Sequence, residues 1–129
     1  MRLLTLTAII GLTAAIPAFA QSESPLSGQW VVDLRPEPDA PAYLKPMTLA
    51  VAPDGALTGT FYERAIDKGR AGATSGRPCF AFRTADNSGP YQTSGCLIGD
   101  RIEGQTWSEG RNFVLTWSAV RSSLPASAK

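Results

Sequence analysis

The stretch CFAFRTADNSGPYQTSGC, residues 79–96, contains both cysteines of the chain and decides how it folds. Two runs that alternate apolar and polar residues flank a DNSGP segment, whose residue types are typical of a tight turn. The register that places Asp86 opposite Gly89 across this turn also places Cys79 directly opposite Cys96. Residues paired in this way have Cβ atoms close to the spacing that a disulfide needs. We therefore predict an antiparallel hairpin with a Cys79–Cys96 bond.

The predicted disulfide is structural and lies on the outer face of the sheet. In the same register Phe80, Phe82 and Tyr91 share the opposite face, which is the predicted core. A bond that closes a loop of this length stabilises a fold by ~3 kcal/mol in the chain-entropy model. A redox-active pair is disfavoured because the cysteines lack the Cys-x-x-Cys spacing and the chain has no histidine to activate a thiolate.

Short alternating runs bounded by Gly and Pro extend along the rest of the chain, and no 3.6-residue apolar period persists. Strands are predicted at residues 28–34, 47–52, 56–63, 79–85, 91–98, 101–107 and 112–120. The pattern predicts an all-β protein, a small antiparallel up-and-down meander barrel of seven or eight strands.

Two long segments between these strands are predicted to be loops. Residues 35–46 contain four prolines, which cannot donate hydrogen bonds within a sheet. Residues 65–78, AIDKGRAGATSGRP, are rich in glycine and poor in apolar side chains, which is typical of an exposed connection.

The chain begins with a pattern typical of export. Residues 1–20, MRLLTLTAIIGLTAAIPAFA, combine a basic start at Arg2, an apolar run and a small-x-small ending, as in a cleavable signal peptide. We predict a signal peptide at residues 1–20, a barrel domain at 21–121 and a disordered tail at 122–129. The mature chain is predicted to have no membrane span and to be periplasmic or secreted.

Composition disfavours several functions. The sequence contains no histidine, which removes the most common general base and metal ligand. Once the signal peptide is removed, basic and acidic side chains balance at 11 each, whereas nucleic acids and anionic membranes attract basic faces. We therefore expect no enzyme, no metal, no cofactor and no nucleic-acid partner.

Aromatic side chains are the remaining resource for a binding site. Trp30, Phe61, Phe82 and Trp117 are predicted to converge inside the barrel as walls of a site for a small, mostly apolar ligand. A barrel of about eight strands is just wide enough to be filled by side chains or to hold one small ligand. The sequence leaves both alternatives open.

The segment DGALTGTF, residues 54–61, together with Gly28-Gln29-Trp30, resembles the avidin/streptavidin family. The opening Gly-x-Trp is also similar to that of lipocalin-like barrels. The resemblance implies an eight-stranded up-and-down β-barrel, which in that family binds biotin, commonly as a tetramer.

The residues that contact biotin in that family are not retained. The resemblance places Val32 at the position of the asparagine that binds the ureido group, Phe61 at that of a tyrosine and Glu63 at that of a serine. It also implies that the family's last strand is missing after residue 121. The resemblance therefore implies the fold and a ligand other than biotin.

A second resemblance gives the alternative function. Small periplasmic inhibitors of secreted bacterial metalloproteases are similar in size, in having one disulfide and in their Gly-x-Trp opening. This resemblance implies a protein-interaction module or protease inhibitor that uses residues 21–26, or one of the loops at 35–46 and 65–78, against an envelope protein. The sequence predicts no oligomeric state.

Overall fold

The computed structural model describes residues 11, 13–15 and 23–123. Their regular structure consists of β-strands: β1 (Gly28–Asp33), β2 (Leu44–Val51), β3 (Ala56–Phe61), β4 (Arg64–Ala65), β5 (Asp67–Gly72), β6 (Cys79–Asp86), β7 (Gly89–Ile98), β8 (Arg101–Ser108) and β9 (Phe113–Arg121). The described part contains no helix long and apolar enough to cross a membrane. Most of the predicted signal peptide and of the predicted tail lies outside the described residues.

The strands form a closed antiparallel barrel in which neighbouring strands pair in chain order, apart from β4 and β5, and β9 pairs with β1. Short β4 and longer β5 both pair with β3, and between them the amide of Ile66 donates to the Gly59 carbonyl at 2.9 Å. Together β4 and β5 act as one irregular strand, so the barrel has eight. The predicted fold class is confirmed.

The hairpin of β6 and β7 has the predicted register. Asp86 pairs with Gly89 and Cys79 pairs with Cys96, and the two Sγ atoms are bonded at 2.09 Å. Phe80, the residue after Cys79, points the other way and is buried. The disulfide therefore lies on the outside of the barrel, as predicted.

The second predicted hairpin is also confirmed. Met47 pairs with Phe61 and Val51 pairs with Leu57, so the apolar residues of β2 and β3 share the inner face. The Asp54 carboxylate accepts a hydrogen bond from the Ala56 amide at 2.9 Å, which fixes the turn as short Asx motifs do.

The prediction that residues 65–78 form a loop is wrong, because β5 lies within them. The strand has little intrinsic β propensity, but β3 and β6 on either side supply partners for its backbone, and such context overrides propensity. Gly69 also has a packing reason, since a Cβ there would lie 2.3 Å from the Leu57 carbonyl oxygen. With β5 counted, β9 is the eighth strand and no strand is missing from the barrel.

One end of the barrel is closed by the residues that precede β1. The side chain of Leu26 is buried, and its carbonyl accepts a hydrogen bond from Trp30 Nε1 at 2.9 Å. Arg121 lies at the end of β9, with its Cζ atom 4.1 Å from the centroid of the Trp30 ring. Its guanidinium donates hydrogen bonds to the carbonyls of Ser27 and Pro25. This end is therefore solid.

Candidate functional site

The structure brings together three of the four aromatic residues that the sequence predicts for the binding site. The ring of Phe61 lies 5.5 Å from those of both Phe82 and Trp117, centroid to centroid. Trp30 is buried at the closed end instead, where it contacts Leu26 and Arg121. All four predicted wall residues are buried members of the hydrophobic core.

Trp117 marks where the solid core ends. It pairs across the sheet with Gly104, and a Cβ on Gly104 would lie 2.3 Å from the indole, so glycine is what lets the ring lie flat on the strand. Trp117 Nε1 donates to Thr106 Oγ1 at 3.1 Å, and Thr106 Oγ1 is 2.9 Å from Thr93 Oγ1. The indole thus lies one inward-facing position nearer the closed end than Thr106 and Leu115, and we call the layer formed by Trp117, Thr106 and Thr93 the Trp117 floor.

Above this floor, at the end opposite Leu26, the barrel is open and contains a cavity of about 230 Å³. Its walls are mostly apolar and aromatic, with hydroxyl and charged groups between them. It is lined by Leu34, Tyr43, Phe61, Tyr62, Arg64, Thr84, Asp86, Tyr91, Thr106, Arg111, Phe113 and Leu115. Of the four predicted wall residues, Phe61 borders this cavity.

Two tyrosines and a lysine cover one side of the cavity mouth. The hydroxyls of Tyr43 and Tyr62 are hydrogen-bonded to each other, and Lys45 Nζ lies 5.4 Å and 5.0 Å from the two ring centroids. The hydrogen bond to Tyr43, together with partial burial, raises the pKa of the Tyr62 phenol. The Tyr62 hydroxyl therefore stays neutral at physiological pH.

The turn that carries Tyr62 is strained. Phe61 pairs with Arg64, which leaves Tyr62 and Glu63 as a two-residue loop with φ of 51° and 63°. A loop of this kind favours Asn-Gly, because both central residues must adopt the left-handed conformation. A bulky side chain there costs about 1–3 kcal/mol and is retained where the surroundings fix it, commonly at functional sites.

Asp33 fixes the backbone of Tyr43 by accepting a hydrogen bond from its amide. Its Oδ1 accepts hydrogen bonds from the amides of Arg35 at 3.1 Å and Tyr43 at 3.2 Å, and its Oδ2 pairs with the Arg35 guanidinium at 2.6 Å. These contacts, led by the hydrogen bond from the Arg35 side chain, lower the pKa of Asp33 to about 2. The carboxylate therefore fastens both ends of the loop between β1 and β2.

The opposite side of the mouth is built from two adjacent turns. Tyr91 donates its hydroxyl to Asp86 Oδ2 at 2.9 Å, and the Ser88 amide donates to Asp86 Oδ1 at 2.7 Å. The guanidinium of Arg111 lies 5.0 Å from the Phe113 ring centroid. Both sides of the mouth thus combine aromatic rings with charged groups that neighbouring residues position.

The residues that line the cavity are of the types that bind small molecules. Aromatic faces, aliphatic side chains and hydroxyls line a concave cavity, which is the usual composition of a small-molecule pocket. Among residues 23–123, no group of three or more His, Cys, Asp or Glu is placed to hold a metal ion.

Sequence reasoning missed most of the cavity lining. Tyr43 and Tyr62 fall in or next to connections, where no alternating pattern assigns a side chain to the interior. Leu115 follows the two-residue alternation that places Trp117 inside, and Thr106 lies directly opposite Leu115 on the neighbouring strand.

Comparison of the chain with protein-family models, with curated proteins and with solved structures gave no significant match.

The Asp33 contacts predict a pH dependence. Because the pKa of Asp33 is lowered from 3.8 to about 2, its contribution to stability is present above pH 4 and is lost as the pH falls towards 2. We expect the difference in Tm between the wild type and Asp33→Asn to be constant above pH 5 and to shrink between pH 4 and pH 2. Thermal unfolding followed by circular dichroism at several pH values measures this difference.

Asp39→Asn is the matched control for this titration, since Asp39 lies in the same loop and its side chain makes no hydrogen bond to the described residues. Its difference from the wild type should not follow that of Asp33→Asn. A Tm difference for Asp33→Asn that is independent of pH would contradict the role given to the Asp33 carboxylate.

Proposed function

We propose that the protein binds a small, mostly apolar ligand in the cavity at the open end of the barrel. The observation that carries this proposal is the cavity of about 230 Å³ at the open end, above the Trp117 floor, since barrels of this size commonly hold ligands at the mouth. The proposal keeps the function that the sequence predicts, a ligand-binding barrel, and places the ligand at the open end, where Phe61 is the one predicted wall residue in the cavity lining.

The size and lining of the cavity restrict the ligand. Typical pockets for small molecules measure ~300–1,000 Å³, so this ligand is at the small end or projects partly into solvent. Its apolar body would pack against Phe61 and Leu115, and a polar group would reach the hydroxyls of Thr84 and Thr106. A single ring or a short alkyl chain fits this description.

The strained turn at Tyr62 supports the proposal. A chain that needed only a stable hairpin would gain from Asn-Gly at this turn. Tyr62 instead holds its ring at the cavity edge, in a hydrogen bond with Tyr43. Binding gives a reason for retaining a side chain that costs stability.

The proposed ligand is not biotin, although the architecture of the barrel is compatible with that of avidin-like or lipocalin-like barrels. Val32, which the resemblance places at the ureido-binding asparagine, is fully buried hydrocarbon, and Phe61 offers no hydroxyl. Polar groups of biotin would enter without partners, and unpaired buried polar groups cost about 1–3 kcal/mol each.

Export to the periplasm or medium stays a prediction, as does the alternative of a protein-interaction module.

Filling the cavity should weaken ligand binding without unfolding the protein. Leu115→Trp adds a large ring at the cavity wall, so we expect affinity for any small ligand to fall by at least about tenfold, or ~1.4 kcal/mol. A thermal-shift screen of small aromatic and aliphatic compounds against the wild type, followed by calorimetric titration of the hits on both proteins, measures this.

Val114→Trp is the matched control, because Val114 is the preceding residue of β9 and its side chain is 63% exposed on the outside of the barrel. This variant should bind the hits as the wild type does. The proposal would be overturned by a screen without hits. It would also be overturned if the hits bound Leu115→Trp with the same affinity as Val114→Trp.

Replacing Tyr62 should separate stability from binding. Asparagine adopts the left-handed conformation readily, so Tyr62→Asn is expected to leave the free energy of unfolding unchanged or raise it by up to ~1 kcal/mol, while ligand affinity falls. Urea unfolding and calorimetric titration measure the two effects.

Lys68→Asn is the control for this variant. Lys68 also has a left-handed φ of 51°, so asparagine relieves backbone strain there too, but Lys68 lies outside the cavity lining. Its affinity for the hits should equal that of the wild type. Loss of stability in Tyr62→Asn with unchanged affinity would show that the tyrosine serves the fold instead.

A further inference from the structure

We infer that the ligand of this cavity carries an anionic group, most simply a carboxylate, that is bound at the mouth by Arg64 and Arg111. This inference rests on the proposed function and adds the chemical class of the ligand. Both arginines line the cavity on which the hydroxyls and apolar walls converge. The argument depends on where each guanidinium is held and on what already occupies it.

Arg64 is directed towards the cavity by its strand pairing. It lies opposite Phe61, and directly paired residues of antiparallel strands project from the same face of the sheet. Because Phe61 points into the barrel, Arg64 leaves the backbone on the inner side, where the wall ends. The strained turn at Tyr62 and Glu63 is the connection that creates this pairing.

Arg111 is held in place by the packing of two turns. A Cβ on the preceding residue, Gly110, would lie 1.6 Å from the Ser88 carbonyl oxygen, so the turn can approach its neighbour only with glycine there. The Arg111 amide donates to Ser108 Oγ at 3.2 Å. With the guanidinium against the Phe113 ring, the cation is positioned before any ligand arrives.

Among residues 23–123, neither guanidinium has a hydrogen-bond or ion-pair partner that a ligand would have to displace. In the described part of the chain the ion pairs are Arg35 with Asp33 and Arg101 with Glu103, and the side chains of Arg64 and Arg111 donate no hydrogen bonds within it. Guanidinium groups bind carboxylates through two parallel hydrogen bonds. Both arginines therefore have donors available at the mouth.

Asp86 is the carboxylate in the cavity lining, and its oxygens are already engaged. Oδ1 accepts from the Ser88 amide and Oδ2 from the Tyr91 hydroxyl. The lining thus has two cations with available donors and one anion whose oxygens are hydrogen-bonded. This balance favours an anionic ligand over a neutral or cationic one of the same shape.

The inference is tested with acids and amides that share one apolar body. Phenylacetate, hexanoate and indole-3-acetate are titrated calorimetrically into the protein beside their primary amides, which match them in size but carry no charge. We expect at least one acid to bind about tenfold more tightly than its amide, and the difference to decrease as salt is raised.

The variants assign the preference to the two arginines. Arg64→Gln and Arg111→Gln should each reduce the acid-to-amide ratio several-fold, and the double variant should bring it close to one. Arg77→Gln removes the same charge from the exposed connection between β5 and β6 at the opposite end of the barrel and should leave the ratio unchanged. Circular dichroism and Tm confirm that each variant folds.

The outcomes separate this inference from the proposed function. Equal binding of acids and amides, or a ratio that persists in the double variant, overturns the anionic ligand while the cavity stays a binding site. Binding by none of the acids also overturns it. The proposed function itself fails only if neutral compounds, including those of the wider screen, also do not bind in the cavity.

Discussion

The packing of the Trp117 indole on Gly104 is the contact on which the rest of this structure depends. Without a Cβ on Gly104, the ring can lie against the strand and donate its N–H to Thr106. Below this ring, aromatic and aliphatic side chains fill the barrel as close-packed cores require. Towards the open end the cavity begins, and its lining includes Thr106 and Leu115, the inward-facing residues next to Gly104 and Trp117 on their strands. One residue thus divides a solid half from an open half.

The two halves differ in what their residues contribute. At the closed end, Leu26 and Trp30 are buried and Arg121 ties the start of the domain to its last strand, so these contacts serve stability. At the open end, the left-handed Tyr62 costs stability and borders the cavity. Such a division, with a rigid scaffold at one end and strained connections at the other, is how barrels commonly combine a stable fold with a binding site.

The parts of the fold that could be predicted from the sequence were those with a local signal. The DNSGP turn set the register that joins Cys79 to Cys96, and Pro53-Asp54-Gly55 set that of the second hairpin. Strand β5 had no such signal, because its partners on both sides, rather than its own side chains, make it a strand. Part of the cavity lining was missed for a related reason: Tyr43 and Tyr62 lie outside regular strands, and their positions at the mouth are set by Asp33 and by a strained turn.

The central claim is that the barrel is solid below Trp117 and accepts a small molecule above it. The most direct test is a titration of ¹⁵N-labelled protein with a pool of small aromatic fragments, followed by amide and indole chemical shifts. We predict the largest changes at the amides of Phe61, Thr106 and Leu115 and at the indole N–H of Trp117, with little change at Trp30. Changes centred on the closed end or on the exposed outer residue Trp107, or no changes with any fragment, would contradict the account.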